Sequence, residues 1–136
     1  MISRRKAIQA AALTLAAGPF EAQAQAKRNE LLTQELPAMD GSSMKITVVE
    51  LQHEPGGSSP QHRHPGPTFV YVLEGALLAQ VEGRPLTTYT AGQMFYEPPG
   101  GIHMVSKNAS DTRPVKFLAF LLSEKGKPLT VPVTGT

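Results

Sequence analysis

The chain has 136 residues, room for one domain and not two. Hydrophobic residues make up 40% and charged residues 18%, an ordinary globular balance that excludes wholesale disorder. With no cysteine, no tryptophan and only 6% aromatics, the sequence excludes a disulfide scaffold, a thiolate metal site, a cysteine nucleophile and a stacking platform for nucleic acid.

The chain opens on a segment that reads as a removable export signal. Arg4, Arg5 and Lys6 form a basic start, and residues 7–17 are short and mildly apolar. Ala22-Gln23-Ala24 and Ala24-Gln25-Ala26 both offer small residues where a signal peptidase reads, so the predicted signal covers residues 1–24, or 1–26. Ser3-Arg4-Arg5-Lys6-Ala7-Ile8 resembles the twin-arginine export signature; an ordinary secretory signal is the alternative. Either route leads to a periplasmic or secreted protein. The apolar run of eleven residues is too short to cross a bilayer, which needs about 20, so no stable membrane anchor is expected. Without residues 1–24 the formal charge of +2 falls to zero, with ten basic and ten acidic residues remaining. No global pull toward nucleic acid or anionic lipid is left, and the expected partner is a small molecule.

Residues 27–41 read as a linker or N-terminal arm, with one helical turn around Leu31, Leu32 and Leu36. From residue 42 to 124 the pattern becomes strand, turn, strand, punctuated by most of the twelve glycines and twelve prolines. Strands are predicted over residues 45–53, 61–64, 68–73, 76–82, 86–90, 94–97, 102–107 and 115–122. The last is apolar on both faces, which fits a covered central strand or a homodimer interface equally well. Residues 125–136 form a tail or edge strand, kept peripheral by Pro128 and Pro132. Short strands at intervals of about eight to twelve residues indicate an all-β antiparallel sandwich or barrel.

The chain has four histidines: His53, His62, His64 and His103. His62 and His64 are two apart on a strand and therefore share a face. His103 opens another strand just after Pro98-Pro99-Gly100-Gly101. Three imidazoles converging inside a small barrel would make a site for a divalent metal.

The turns around these histidines are more specific. Gly57-Ser58-Ser59-Pro60-Gln61-His62-Arg63-His64, with Gly75 closing the next strand, resembles the first motif of the cupin family. Gly92, Pro98, Gly100 and His103, with Asn108 beyond, resemble the second. The resemblance covers about residues 45–122 and implies a single-domain cupin-type jelly-roll β-barrel with a metal inside. It implies His62, His64 and His103 as metal ligands, with iron, manganese, zinc or nickel as the ion.

Two positions depart from the pattern. The family places a glutamate four residues after its second motif histidine, where this chain has Thr68. Asn108 also lies one residue further from His103 than usual. Read at face value, the first departure leaves three neutral imidazoles, an ion with its full charge, and Thr68 as a pocket residue pointing in beside it. Glu97 is expected to be an exposed acid, able to replace the missing carboxylate only if its strand turns it inward. His53 is expected at the rim, with Arg63 and Gln61 facing away from the histidine pair. Met94 and Met104 are expected in the core or along the pocket, and Phe69, Tyr71, Phe95, Phe117 and Phe120 in packing roles.

No GxSxG, P-loop or GxGxxG motif is present, which argues against a serine hydrolase, an NTPase and a nicotinamide dehydrogenase. The leading expectation is an exported, metal-dependent enzyme acting on an anionic or carbonyl substrate, by dioxygenase-like, lyase, isomerase or decarboxylase chemistry. The alternative is a non-catalytic small-ligand-binding protein, with or without metal. No individual catalytic residue can be named from the sequence.

Overall fold

The computed structural model describes residues 29–39 and 43–134. The signal-like segment therefore lies outside the described residues, as do parts of the predicted arm. Residues 29–39 adopt no regular structure, so the helical turn expected around Leu31, Leu32 and Leu36 does not form. Leu31 and Leu36 remain 48% and 41% exposed. A single turn without a packing partner does not repay its nucleation cost.

Ten strands follow in chain order: β1 (Met44–His53), β2 (Ser58–Ser59), β3 (His62–Arg63), β4 (Thr68–Glu74), β5 (Ala76–Val81), β6 (Thr87–Thr90), β7 (Met94–Glu97), β8 (Ile102–Asn108), β9 (Val115–Glu124) and β10 (Val131–Pro132). They build two antiparallel sheets. One has the order β1-β9-β4-β7; the other runs β10-β3-β8-β5-β6, with β2 also paired to β8. This is the all-β jelly roll.

Period-two alternation decides which residues enter the space between the sheets. In β9, Val115, Phe117, Ala119 and Leu121 are buried, while the residues between them are half-buried on the outer face. The two-sided apolar strand is thus central, flanked by β1 and β4. Val70 and Val72 of β4, Leu77, Ala79 and Val81 of β5, and Phe95 of β7 complete the core. Burying each large apolar side chain stabilises the fold by about 1.5–3 kcal/mol. Met104 is 38% exposed and Met94 lies half-buried on the outer face, so neither methionine fills the core or the pocket as expected.

Two glycines hold the turns that frame the site. A Cβ at Gly66 would lie 1.8 Å from the Leu122 carbonyl oxygen, so only glycine lets the turn before β4 press on β9. The Leu122 N–H donates to Pro67 O at 3.0 Å and pins that turn. Gly75, between β4 and β5, has φ of +80°, and a Cβ there would meet Pro114 O at 2.5 Å. Asn108, 2% exposed, is a structural hub at the end of β8. Its amide donates to the carbonyls of His53, Glu54 and Arg113, and its Oδ1 accepts from Ser110 N–H.

Candidate metal centre

The sheet register brings the histidines together. In the β3–β8 pair His62 stands directly opposite His103. His64, two residues beyond His62, lies on the same side, with ring centroids 4.8 Å apart; His62 and His103 are 5.0 Å apart. His103 is 5% exposed and rests edge-on against Phe95 at 5.8 Å. Arg63, between the first two histidines, points away and donates to Gly100 O at 2.7 Å. Gln61 is exposed and is among the residues bordering the cavity.

Backbone carbonyls set the tautomers of the pair. His62 Nδ1 lies 2.9 Å from Pro60 O, and His64 Nδ1 lies 2.8 Å from Leu129 O. A carbonyl only accepts, so each neutral ring carries its proton on Nδ1 and keeps a lone pair on Nε2. That is the arrangement a metal-ligating histidine takes. Burial is the main cause holding the His62 pKa below the ordinary imidazole value; His103 and His64 add to the depression, while the Pro60 hydrogen bond and Glu97 oppose it. A depressed value keeps the ring neutral and its lone pair free.

Glu97 overturns the expectation of an exposed acid. It is 2% exposed, because β7 alternates and Glu97 shares the inward parity of Phe95. Its Oε2 lies 3.3 Å from His64 Nε2, and its Oε1 contacts His103 Nδ1. The site therefore includes a carboxylate, which corrects the reading of three neutral imidazoles around an ion of undiminished charge. His62, His64 and Glu97 each offer a ligand atom, all within 4.8 Å of one another, and His103 adjoins through Glu97.

Neither Glu97 oxygen makes a well-aligned hydrogen bond, although each lies against an imidazole nitrogen, and His103 Nε2 is buried without a partner. His64 Nε2 and Glu97 Oε2 thus face each other at 3.3 Å, an arrangement that calls for a positive charge between them, a proton or a metal ion. The residues fit a divalent metal on this ground.

Thr68 is fully buried on the inward face of β4, directly across the ladder from Glu97. Its hydroxyl donates to Gly66 O at 3.3 Å, and it lies outside the cavity lining. Cβ atoms of directly opposed residues sit about 4.5–5.5 Å apart. Glu97 on the facing strand therefore brings a carboxylate beside the position where the motif places one.

The cluster opens into a cavity of about 400 Å³ between the sheets. Its walls are largely apolar, from Val49, Leu51, Val70, Phe117, Leu121 and Leu129. Thr130 and Pro132 close one side, so the C-terminal segment both borders the cavity and orients His64. His53, expected at the rim, points inward from β1, with its ring 5.3 Å from Phe117. Burial, and secondarily His103, lower its pKa. The signal that would have found Glu97 is its spacing of two from Phe95, a clear core residue. Nothing local to residues 128–132 announces their place beside His64.

Residues 49–121 match the Cupin domain family, which is more than half of the chain, and the protein belongs to that family. A rhicadhesin receptor of Pisum sativum is 26% identical over 106 residues, covering 74% of this chain and 47% of its own. The chain spans less than half the length of the curated relatives it matches. Among solved structures, a cupin-like protein from Thermotoga maritima superimposes with a TM-score of 0.54 at 22% identity, covering 66% of this chain and 65% of that one. An oxalate oxidase structure gives 0.54 at 26% identity, covering 65% and 46%.

Proposed function

We propose that this chain is an exported cupin enzyme whose barrel holds one divalent transition metal, iron, manganese, zinc or nickel, on His62, His64, Glu97 and His103, and acts on a small anionic or carbonyl-bearing molecule. The observation that carries this reading is the convergence of His62, His64 and the buried Glu97 carboxylate, whose ligand atoms all lie within 4.8 Å of one another. When bound, the metal would supply Lewis-acid polarisation of a substrate oxygen, or oxygen activation. The chain's own residues do the rest. Pro60 O and Leu129 O hold the two Nε2 lone pairs toward the centre. Glu97 offsets one of the two positive charges of a divalent ion and leaves one, which favours an anionic ligand. The apolar wall excludes water and so strengthens that attraction.

The likeness to oxalate oxidase supports a short carboxylate as the first substrate to try. A non-catalytic ligand carrier is the second reading. It draws on the cavity wall, where Glu97 is the sole carboxylate among the described lining residues and is already engaged with histidines. Export rests on residues 1–26 of the sequence. Replacing Arg4 and Arg5 by lysine should block periplasmic delivery by the twin-arginine route, and unchanged delivery would point to the ordinary secretory route.

The test of the site is metal content followed by turnover. Near-stoichiometric metal that is lost in His62→Ala, His64→Ala and Glu97→Ala but kept in His53→Ala supports the centre. Failure of the purified chain to take up any of the four metals would refute it. Consumption of oxalate, diketones or other short carboxylates separates the enzyme from the carrier.

A further inference from the structure

The cavity has a second polar cluster, away from the proposed metal ligands. Ser59 Oγ and Ser106 Oγ lie 3.3 and 3.4 Å from His53 Nε2. Both serines line the cavity, and Ser106 is 4% exposed. Hydroxyls in an otherwise apolar wall are costly unless they are satisfied there.

The backbone shows how they come to face inward. Ser59 stands opposite Ser106 in the β2–β8 pair, as His62 stands opposite His103 in the β3–β8 pair. The serine row and the histidine row are three residues apart on each strand, an odd spacing that would send them to opposite faces of a regular sheet. They share a face because β8 carries one extra residue there. Val105 pairs with Gln80 and His103 with Val81, so Met104 has no partner and is expelled to 38% exposure. Such a bulge re-aims the side chains on either side of it. Pro60 and Gln61 interrupt the facing strand at the same level.

One imidazole nitrogen can make one good hydrogen bond, so His53 Nε2 saturates only one of the two hydroxyls. The other keeps bonding capacity toward the cavity. We infer that Ser59 and Ser106, positioned by His53, form a second binding pole, and that the ligand of this cavity is bifunctional: an oxygen-bearing anionic head at the metal end and a hydroxyl or carbonyl at the serine end, joined by a short apolar segment. The inference rests on the metal-site reading above and specifies its substrate class. Three residues of strand span about 10 Å; after a coordinate bond and a hydrogen bond are allowed for, about 5 Å remains, enough for roughly four carbons. Leu51 and Phe117 of the cavity wall suit that apolar segment.

The probes are butyrate and hexanoate, each against its ω-hydroxylated counterpart, titrated calorimetrically into the full chain loaded with manganese. At the chain length that fits, the added hydroxyl should tighten binding about tenfold, the scale of one well-made hydrogen bond. Ser59→Ala with Ser106→Ala should abolish that gain and leave the plain alkanoate unaffected. Ser59→Ala alone, at a half-exposed residue, provides the same comparison with less risk to folding. His53→Leu should reduce the gain, and His53→Gln should restore part of it, which a merely structural role for His53 would not do. Alkanoate binding with no hydroxyl gain at either length, or a gain that survives both serine substitutions, overturns the second pole alone. If no carboxylate binds, the metal-site reading falls and this inference falls with it.

Discussion

Glu97→Gln separates a metal ligand from a structural ion pair, because the two roles predict opposite signs for the metal-free protein. Two unit charges about 4 Å apart interact by about 4 kcal/mol at an effective dielectric near 20. The 3.3 Å separation of His64 Nε2 and Glu97 Oε2 sets the same length scale. A divalent ion doubles the attraction, and desolvation offsets much of it, so a net loss on the order of 3 kcal/mol, about a hundredfold in Kd, is expected. Without metal the substitution should help. Glu97 Oε2 lies buried beside His64 Nε2 without a hydrogen bond, whereas a glutamine amide can donate to a neutral His64 there. One such bond is worth about 1 kcal/mol and should raise the metal-free Tm by about 4 °C. The assay is thermal unfolding of both proteins in chelator and in excess manganese or nickel, with calorimetric Kd values in one buffer. If the histidines are instead protonated partners of Glu97, breaking the buried pair should cost about 3–5 kcal/mol without metal. A lowered metal-free Tm with an unchanged Kd would refute the proposed centre.

Other outcomes follow from the frame around the site. Gly66→Ala must displace the Leu122 carbonyl, which its Cβ would otherwise meet at 1.8 Å, and overpacking of this kind costs about 1–3 kcal/mol, readable as a lower urea midpoint. Ending the chain after Lys127 removes the Leu129 carbonyl that orients His64, and metal affinity should fall about 10- to 100-fold by calorimetry while the strands of both sheets, β10 apart, persist by circular dichroism. The pKa values of His53 and His62 are both depressed in the fold, so below about pH 6.5 the unfolded chain takes up protons that the fold refuses. Metal-free stability should therefore be level above that pH and decline on acidification, and His53→Gln should flatten part of the decline in urea titrations.

Most of the fold was legible because its signals are local. Proline and glycine clusters mark the turns, and alternation marks the strands. The pair His62 and His64 could be placed on one face from their spacing alone. What the sequence concealed depends on events between strands. Ser106 faces inward only because β8 carries a bulge at Met104, and no residue pattern around Met104 signals one. Leu129 acts on His64 through a backbone carbonyl, which any residue type could supply. His53 looked peripheral beside its Pro-Gly turn, yet the last residue of β1 continues the inward parity of Val49 and Leu51.

Thr68 and Glu97 are best understood as a single choice made across one ladder position. They face each other on the inward side of β4 and β7. A glutamate at both positions would set two carboxylates about 5 Å apart in a buried space, where like charges oppose each other and one would take up a proton. A glutamate at neither would leave the histidine lone pairs without the charge that favours a cation. One carboxylate avoids both costs, and here β7 carries it, on the inward face that Thr68 shares. With the acid on β7, position 68 is free to hold a small β-branched residue that packs at full burial and ties its hydroxyl back to Gly66 O. On the proposed metal centre, the departure at Thr68 reads as a relocation of the site's negative charge to the neighbouring strand, which reading along the chain presents as a loss and reading across the sheet presents as charge retained.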